Sequence, residues 1–313
     1  MSKYVISSSP HLRDNVSTTS IMRDVCIALL PAAVAGVLFF GYRSAIILAL
    51  SVAAAVLSEW LYCKAAHCRN TIGDFSAVVT GMLLAMNLPS TVPYWMPVIG
   101  SVIAILLCKM IFGGIGQNFI NPALAARAIL ALSWASLMNK FAAPAFGNLA
   151  GVDAVASATP IGAAAGTYTL GQLFLGNIPG TIGETCKLAL LIGAAYLFYK
   201  KVITWHIPAA FIGTFAVCYL LKTGFDVNAT LAQLLSGGLI LGAFFMATDY
   251  SSSPATAKGK IVFGIGCGLL LFIFRACKKT PAEWCSYAIL LMNVCSPLIE
   301  RVTGNKSFGE VKK

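Results

Sequence analysis

Residues 25–41 read Val25-Cys26-Ile27-Ala28-Leu29-Leu30-Pro31-Ala32-Ala33-Val34-Ala35-Gly36-Val37-Leu38-Phe39-Phe40-Gly41, without one charged side chain. A helix needs roughly 20 apolar residues to cross about 30 Å of hydrocarbon, and this run approaches that length. Residues 44–62 repeat the pattern almost at once, with Glu59 as their single charge. Working outward, comparable stretches lie near 94–112, 186–199, 202–221, 231–248 and 260–275, and shorter or more polar ones bounded by proline lie near 75–88, 122–136 and 283–299. The expected fold is therefore all-α, a polytopic membrane protein of about ten transmembrane helices, some of them short or broken. Composition points the same way. Hydrophobic residues make up 58% of the chain and charged residues 11%, against roughly 45–50% and 25% in soluble domains, and the mean hydropathy is +0.82.

Residues 1–24 are polar and contain Arg13, Asp14, Arg23 and Asp24. A cleaved signal has a short basic start and an early apolar core, so the first span is expected to be retained. Ten spans place both termini on one side, and the Lys/Arg distribution then sets the orientation. Lys3, Arg13, Arg23, Lys64, Arg69, Lys109, Lys200, Lys201, Lys258, Lys260 and the basic residues of 301–313 share one side. About half as many, Arg43, Lys140, Lys187, Lys222, Arg275, Lys278 and Lys279, share the other, and Arg127 stays within a helix. Both termini are thus expected in the cytoplasm and the long 137–185 connection outside it. The net charge of +11 suits loops beside anionic lipid and calls for no nucleic acid.

The chain states one arrangement twice. Residues 72–135 run as an apolar helix ending Met86-Asn87-Leu88-Pro89, a span ending near Lys109, a polar break and a helix starting at Asn121-Pro122. Residues 236–299 run as an apolar helix ending Met246-Ala247-Thr248-Asp249, a span ending near Arg275, a polar break and a helix starting at Thr280-Pro281. Ala128-Ile129-Leu130 matches Ala288-Ile289-Leu290 in the closing helices. The expected organisation is a single membrane domain with a first helical repeat over 25–136, an extracytoplasmic segment over 137–185, a second repeat over 186–300 and a tail over 301–313. Interrupted helices in matching positions of two halves point to ligands near the membrane midplane.

Candidate ligand groups are few. Of the ten cysteines, Cys26, Cys108, Cys218, Cys267 and Cys295 lie in apolar spans, where cysteine packs as a small hydrophobe. No C-x-x-C pair occurs, and the Cys63, His67, Cys68 spacing is not that of a metal knuckle, so no metal site is expected. Asn121 followed by Pro122, and Thr280 followed by Pro281 and Glu283, have the chemistry of helix starts. Gly113-Gly114-Ile115-Gly116-Gln117-Asn118 precedes the first of these and lets the backbone turn tightly. Asn118 and Asn121, three residues apart, could meet one polar ligand, although spacing alone favours capping and helix-to-helix hydrogen bonding. Glu59 and Asp249 are the acids expected nearest membrane depth, where an ionised group is costly and therefore paired or functional. Asp249 leads into Tyr250-Ser251-Ser252-Ser253-Pro254 and reads as an interfacial helix-ending acid. His206 reads as a packing residue.

One polar run stands apart: Asp153-Ala154-Val155-Ala156-Ser157-Ala158-Thr159-Pro160. It is the place in the chain suited to covalent cofactor attachment. Thr159 before Pro160 is equally a good helix cap with its first-turn proline, and spacing alone favours the cap.

Four segments together resemble one family: Gly73–Ala85, Gly113–Ala123, Phe245–Asp249 and Tyr287–Asn293. The family is that of RnfD, a membrane component of the Rnf electron-transport complex, with its kin NqrB of the sodium-pumping NADH:quinone oxidoreductase. The resemblance covers nearly the whole chain. It implies a urea-transporter-like pair of inverted repeats and FMN joined through a phosphoester to Thr159, with Asp153, Ser157 and Ala158 as the attachment motif. Ala154 and Ala156 depart from the family pattern, which favours Gly and Ser or Thr there. The resemblance further implies a maturing flavin transferase, a second flavin (riboflavin) within the helices, for which Asn118 and Asn121 are the expected site, and the partner proteins RnfA, RnfB, RnfC, RnfE and RnfG. The implied role is a membrane subunit passing electrons in a ferredoxin:NAD+ oxidoreductase coupled to Na+ or H+ movement across the prokaryotic cytoplasmic (inner) membrane, with no catalytic residue of its own. A cofactor-free transporter or channel is the rival, resting on the same broken repeats. A scaffold for the other subunits is a third reading.

Overall fold

The structure, a computed structural model, describes residues 16–68, 70–144, 160–161, 168–277 and 284–304. The expected cap at Thr280, Pro281 and Glu283 falls outside these residues, as does the motif of Asp153, Ser157, Ala158 and Thr159. The described chain is helical, and Pro89 and Thr181 form an isolated antiparallel bridge. It begins with α1 (Thr18–Phe40), whose Ser17 and Ser20 form a reciprocal capping box, and α2 (Tyr42–Ala65). Then come α3 (Ser76–Met86), α4 (Trp95–Ile105) passing into a π-helical turn over Leu106–Met110, α5 (Pro122–Ser133) and the short α6 (Ala135–Met138). After α7 (Leu170–Leu175) the second half comprises α8 (Lys187–Tyr199), α9 (His206–Lys222), α10 (Val227–Leu235), α11 (Leu239–Leu241) passing into a π-helical turn over Gly242–Met246, α12 (Ala257–Cys277) and α13 (Cys285–Thr303).

All ten expected segments are helical, but few are full spans. By length and composition α1, α2 and α12 can each cross a membrane. The run near 231–248 is not one helix: it breaks at Ser236-Gly237-Gly238, and its two pieces meet at 67°. The helices α3, α4 with its π turn, α5, α8 and α9 are apolar but shorter. The half-length of α3 follows from what comes next, because Pro89 and Pro93 cannot supply backbone donors to a continuing helix.

The second half repeats the packing of the first. In one, α2 lies against α3 and α4, and α4 against α5; in the other, α9 lies against the π turn of Gly242–Met246 and against α12, and α12 against α13. Across the interface, matched elements meet: α1 packs on α8 and α5 on α13. This likeness of packing takes in α1 and α2 with α8 and α9, the elements with which the two expected halves begin. Glycine sets the closest approaches, as expected where helices associate by packing rather than by exclusion of water. A Cβ on Gly193 would stand 2.0 Å from the carbonyl oxygen of Ala28, so α1 and α8 touch backbone to backbone there.

Part of the 137–185 connection is buried within the protein. Ile178, Thr181, Ile182, Glu184 and Thr185 are buried. The Ile182 N–H donates to the Leu88 carbonyl (3.1 Å) and the Gly183 N–H to the Met86 carbonyl (2.8 Å). This non-helical strand satisfies the carbonyls that α3 leaves open at its end, and such backbone is tolerated at membrane depth only inside protein. Lys187 and Lys109, read from sequence as loop charges, are both buried. One leaves each side of the charge count, so the asymmetry stands.

Candidate functional site

Three of the four family-like segments line one cleft at the face where α1, α3, α5 and α8 converge. Its polar end carries Ser76 and Thr80 from α3, Lys109 from the first π turn, Asn118 and Asn121 from the approach to α5, and Thr248 and Asp249 beyond the second π turn; Ile21, Met22, Val79, Leu197 and Phe244 form its apolar wall. Both π turns thus flank the cleft, and such turns occur frequently at functional sites.

Lys109 anchors the polar end. Its Nζ donates to Glu59 Oε2 at 2.6 Å and to Ser76 Oγ at 2.5 Å, and both partners of the ion pair are buried. Thr71 donates to the other Glu59 oxygen at 2.5 Å. Ser76 in turn donates from N–H (2.8 Å) and Oγ (2.5 Å) to Asp74 Oδ1, which holds the first turn of α3. The expectation that Glu59 is paired at depth is met by a cation that the sequence pattern assigns to a loop.

Asn121 is the helix cap its proline neighbour indicated. Its Oδ1 accepts from the N–H groups of Ala123 (3.1 Å) and Leu124 (3.3 Å), and its Nδ2 donates to the Met246 carbonyl (3.3 Å), where the second π turn ends. Asn293 of α13 completes the knot, donating to the Ser252 carbonyl and accepting from the Asn121 N–H at 3.2 Å in the amide orientation that satisfies both. One asparagine therefore ties α5 to the broken helix and to α13. Asn118 donates to the Ile120 carbonyl and shares the cleft with Asn121. The two lie at one surface, with Asn121 largely committed to the fold. Asp249 accepts from Ser251 and Ser252 at 3.1 Å each and so ends its helix as expected, while also facing the cleft.

These groups suit a neutral polar ring system: amide donors and hydroxyl oxygens at one end, the hydroxyl hydrogens of Ser76, Thr80 and Thr248 being donated within the fold, and aliphatic and aromatic surface along the side. The enclosed space is only about 90 Å³, whereas the free space out to the mouth is about 770 Å³. Pockets that bury a drug-sized ligand begin near roughly 300 Å³, so a ligand of that size would lie across the mouth rather than be enclosed.

A second centre escaped the sequence reading. Arg127 of α5 donates from Nε to the Asn87 carbonyl at 3.2 Å and from Nη1 to Ser286 Oγ of α13, and its Nη2 stands 3.9 Å from Glu184 Oε1. Lys187 donates to the carbonyls of Glu184 and, at 2.7 Å, Gly237. Asn87 and Gly237 mark the breaks of the two halves, so one buried ionic group joins both. The sequence held a signal for it, an arginine inside an apolar helix, but not its partner, because Glu184 lies on backbone that reads as a loop.

The architecture is that of a polytopic membrane protein built from two matched sets of broken helices, closed on a buried ionic centre and opening a polar-ended cleft between π turns. Comparison with known proteins places it further. The model of the NQR2, RnfD, RnfE family matches residues 5–309, and the chain belongs to that family. It is 49% identical to the D component of the Na+-translocating ferredoxin:NAD+ oxidoreductase complex of Acetobacterium woodii, over 98% of this chain and 96% of that one. It is 41% identical, over 98% and 96%, to the D component of the proton-translocating ferredoxin:NAD+ oxidoreductase complex of Clostridium ljungdahlii. With the D component of the ion-translocating oxidoreductase complex of Vibrio cholerae the identity is 34%, over 98% and 99%.

Proposed function

We propose that this chain is the flavin-carrying membrane subunit of a complex that moves electrons between reduced ferredoxin and NAD+ and couples that flow to translocation of Na+ or H+. The observation that carries the reading is near-complete alignment with relatives named for that reaction. The sequence from Asp153 to Thr159 supports it in the segment where the family bears its flavin. Thr159 is the anchor: its hydroxyl oxygen forms the phosphoester with FMN, and Asp153, Ser157 and Ala158 are what a flavin transferase recognises. Flavin supplies the one-electron chemistry, while the protein supplies attachment, orientation and electrostatics. Around the cleft, Ser76, Asn118 and Thr248 orient a noncovalent riboflavin edge, Lys109 with Glu59 fixes the polar end, and Asn121 holds the helix start beneath it. The other proteins of an Rnf-type complex (RnfA, RnfB, RnfC, RnfE and RnfG) bring the ferredoxin, NAD+ and iron–sulfur sites. The chain sits in the cytoplasmic (inner) membrane with both termini in the cytoplasm and the Thr159 segment outside.

The test is direct. Protein made in a host supplying the flavin transferase is run on a denaturing gel under ultraviolet light, wild type beside Thr159→Ala. A fluorescent wild-type band that vanishes in the variant is the expected result. A dark wild-type band, with the transferase active on another substrate, refutes covalent flavin and favours the cofactor-free transporter that the broken helices also suit.

A further inference from the structure

At both helix breaks the main-chain carbonyls are filled by donors from the protein itself. At the first, the Met86 carbonyl accepts from the Gly183 N–H (2.8 Å), that of Asn87 from Arg127 Nε (3.2 Å) and that of Leu88 from the Ile182 N–H (3.1 Å). At the second, the Ser236 carbonyl accepts from Arg275 Nη2 (3.1 Å), that of Gly237 from Lys187 Nζ (2.7 Å) and that of Gly238 from the Gly242 N–H (2.8 Å). Lys187 Nζ also donates to the Glu184 carbonyl, so one ammonium sits on two carbonyls from separate elements, the strand before α8 and the break between α10 and α11. Arg127 and Lys187 are buried, at 6% and 0% exposure. A neutral donor would satisfy the same carbonyls without the desolvation that a buried cation suffers, so the charge calls for a reason beyond backbone pairing. Among Arg127, Glu184 and Lys187, moreover, two cations stand against one carboxylate. In transporters built from paired broken helices, unwound carbonyls in these places coordinate the transported cation, and a fixed positive charge keeps cations out of a passage.

We propose that Arg127, Lys187 and Arg275 are tethered cations that occupy the cation sites of the two breaks and close the centre of this chain to Na+ and H+. Where the broken-helix plan would bind a travelling ion, it holds an ammonium and two guanidinium groups that cannot leave. Lys187 is the central member, because its contacts to the Glu184 and Gly237 carbonyls are those a bound metal cation would make. A like charge roughly 4 Å away lowers the occupancy of a monovalent cation by about a thousandfold at the effective dielectric of protein sites. The coupling ion of the complex therefore does not pass between the breaks, and its route lies elsewhere. This inference rests on the geometry of the breaks and is independent of whether Thr159 carries flavin.

Passive ion flux tests this without reference to turnover, in proteoliposomes that hold the purified complex and no electron donor. Lys187→Gln keeps an amide donor for the same carbonyls but not the charge, and Lys187→Ala empties the ammonium position. Each should raise Na+ flux over wild type by about a hundredfold or more, within the thousandfold that one like charge imposes. Methylammonium, which fits the emptied position, should close the Lys187→Ala leak and raise that variant's melting temperature, whereas choline, which is too large, should do neither. Flux through Lys187→Gln equal to that of wild type overturns the proposal. A leak that passes chloride and choline as readily as Na+ also overturns it, because it marks a general loss of packing. Should Lys187→Ala not assemble, Lys187→Gln decides; if neither assembles, even when expressed with methylammonium, Lys187 is a structural ion and the proposal falls. The fluorescent gel band, read from the same samples, reports separately on Thr159.

Discussion

Replacing Glu59 with Gln leaves the Lys109 ammonium buried beside an amide. In the structure the pair is 2.6 Å apart with side-chain exposures of 0% and 4%, so water cannot take over the solvation that the carboxylate supplied. Removing one member of a buried pair typically costs roughly 3–5 kcal/mol. Lys109→Met alone strands the carboxylate, which keeps the Thr71 hydroxyl as a donor but loses its counter-charge, and should cost a similar amount. The double variant Glu59→Gln with Lys109→Met strands neither charge, and exchanging a buried pair for neutral residues is often close to neutral. The double variant should therefore be more stable than either single one, by about 3 kcal/mol or more, and the losses should be strongly non-additive. The assay is thermal and chemical unfolding of the purified protein in one detergent, four variants in a cycle. Additive losses, with the double variant the least stable of the four, would refute the claim that Lys109 and Glu59 form one buried unit.

Other outcomes follow from the same geometry. Asn121→Ala should destabilise the protein by about 1–2 kcal/mol through loss of the cap, and Asn121→Asp, which keeps the capping oxygen but buries a carboxylate against the Met246 carbonyl, should lose at least as much in the same unfolding assay. Leu at both Asn118 and Asn121 should lower the noncovalent flavin extracted from the purified complex; unchanged content would count against the cleft as its site. Gly193→Ala should cost roughly 3 kcal/mol or more by overpacking against the Ala28 carbonyl, visible as lost yield and a lower melting temperature. Gly213→Ala, where a Cβ meets nothing within 4 Å, should instead stabilise α9 by about 0.5–1 kcal/mol.

Much of the fold was legible because membrane helices announce themselves by length and polarity. Residues 18–65 and 257–277 needed little more than counting apolar side chains. The Asn121 cap was legible because Asn-Pro is local chemistry. What escaped were features whose signal is not local. Glu184 and Lys187 look like loop charges because their partners are about 50 to 60 residues away, at Arg127 and Gly237. The π turns at Leu106–Met110 and Gly242–Met246 insert one residue per turn into otherwise ordinary apolar runs, and no residue type marks them. The break at Ser236-Gly237-Gly238 was announced by its composition, but the apolar count on both sides carried the sequence reading straight through it. At the cleft, Asn118, Asn121 and Asp249 were singled out, whereas Lys109 was assigned elsewhere because a lysine near a span end reads as a solvated boundary.

The hydrogen bonds from Ile182 and Gly183 back to Leu88 and Met86 have a consequence for biosynthesis. Chain growth at roughly 5–20 residues per second separates the making of the acceptors from the making of their donors by about 5 to 20 seconds. During that interval α3 ends in open carbonyls within a nascent first half that cannot close on itself. Insertion must therefore hold α3 in a hydrated or chaperoned position until the strand before α8 is synthesised. The two halves, similar in plan, are not equivalent in birth: the second emerges with its stitching strand already made, and the first has to wait for it.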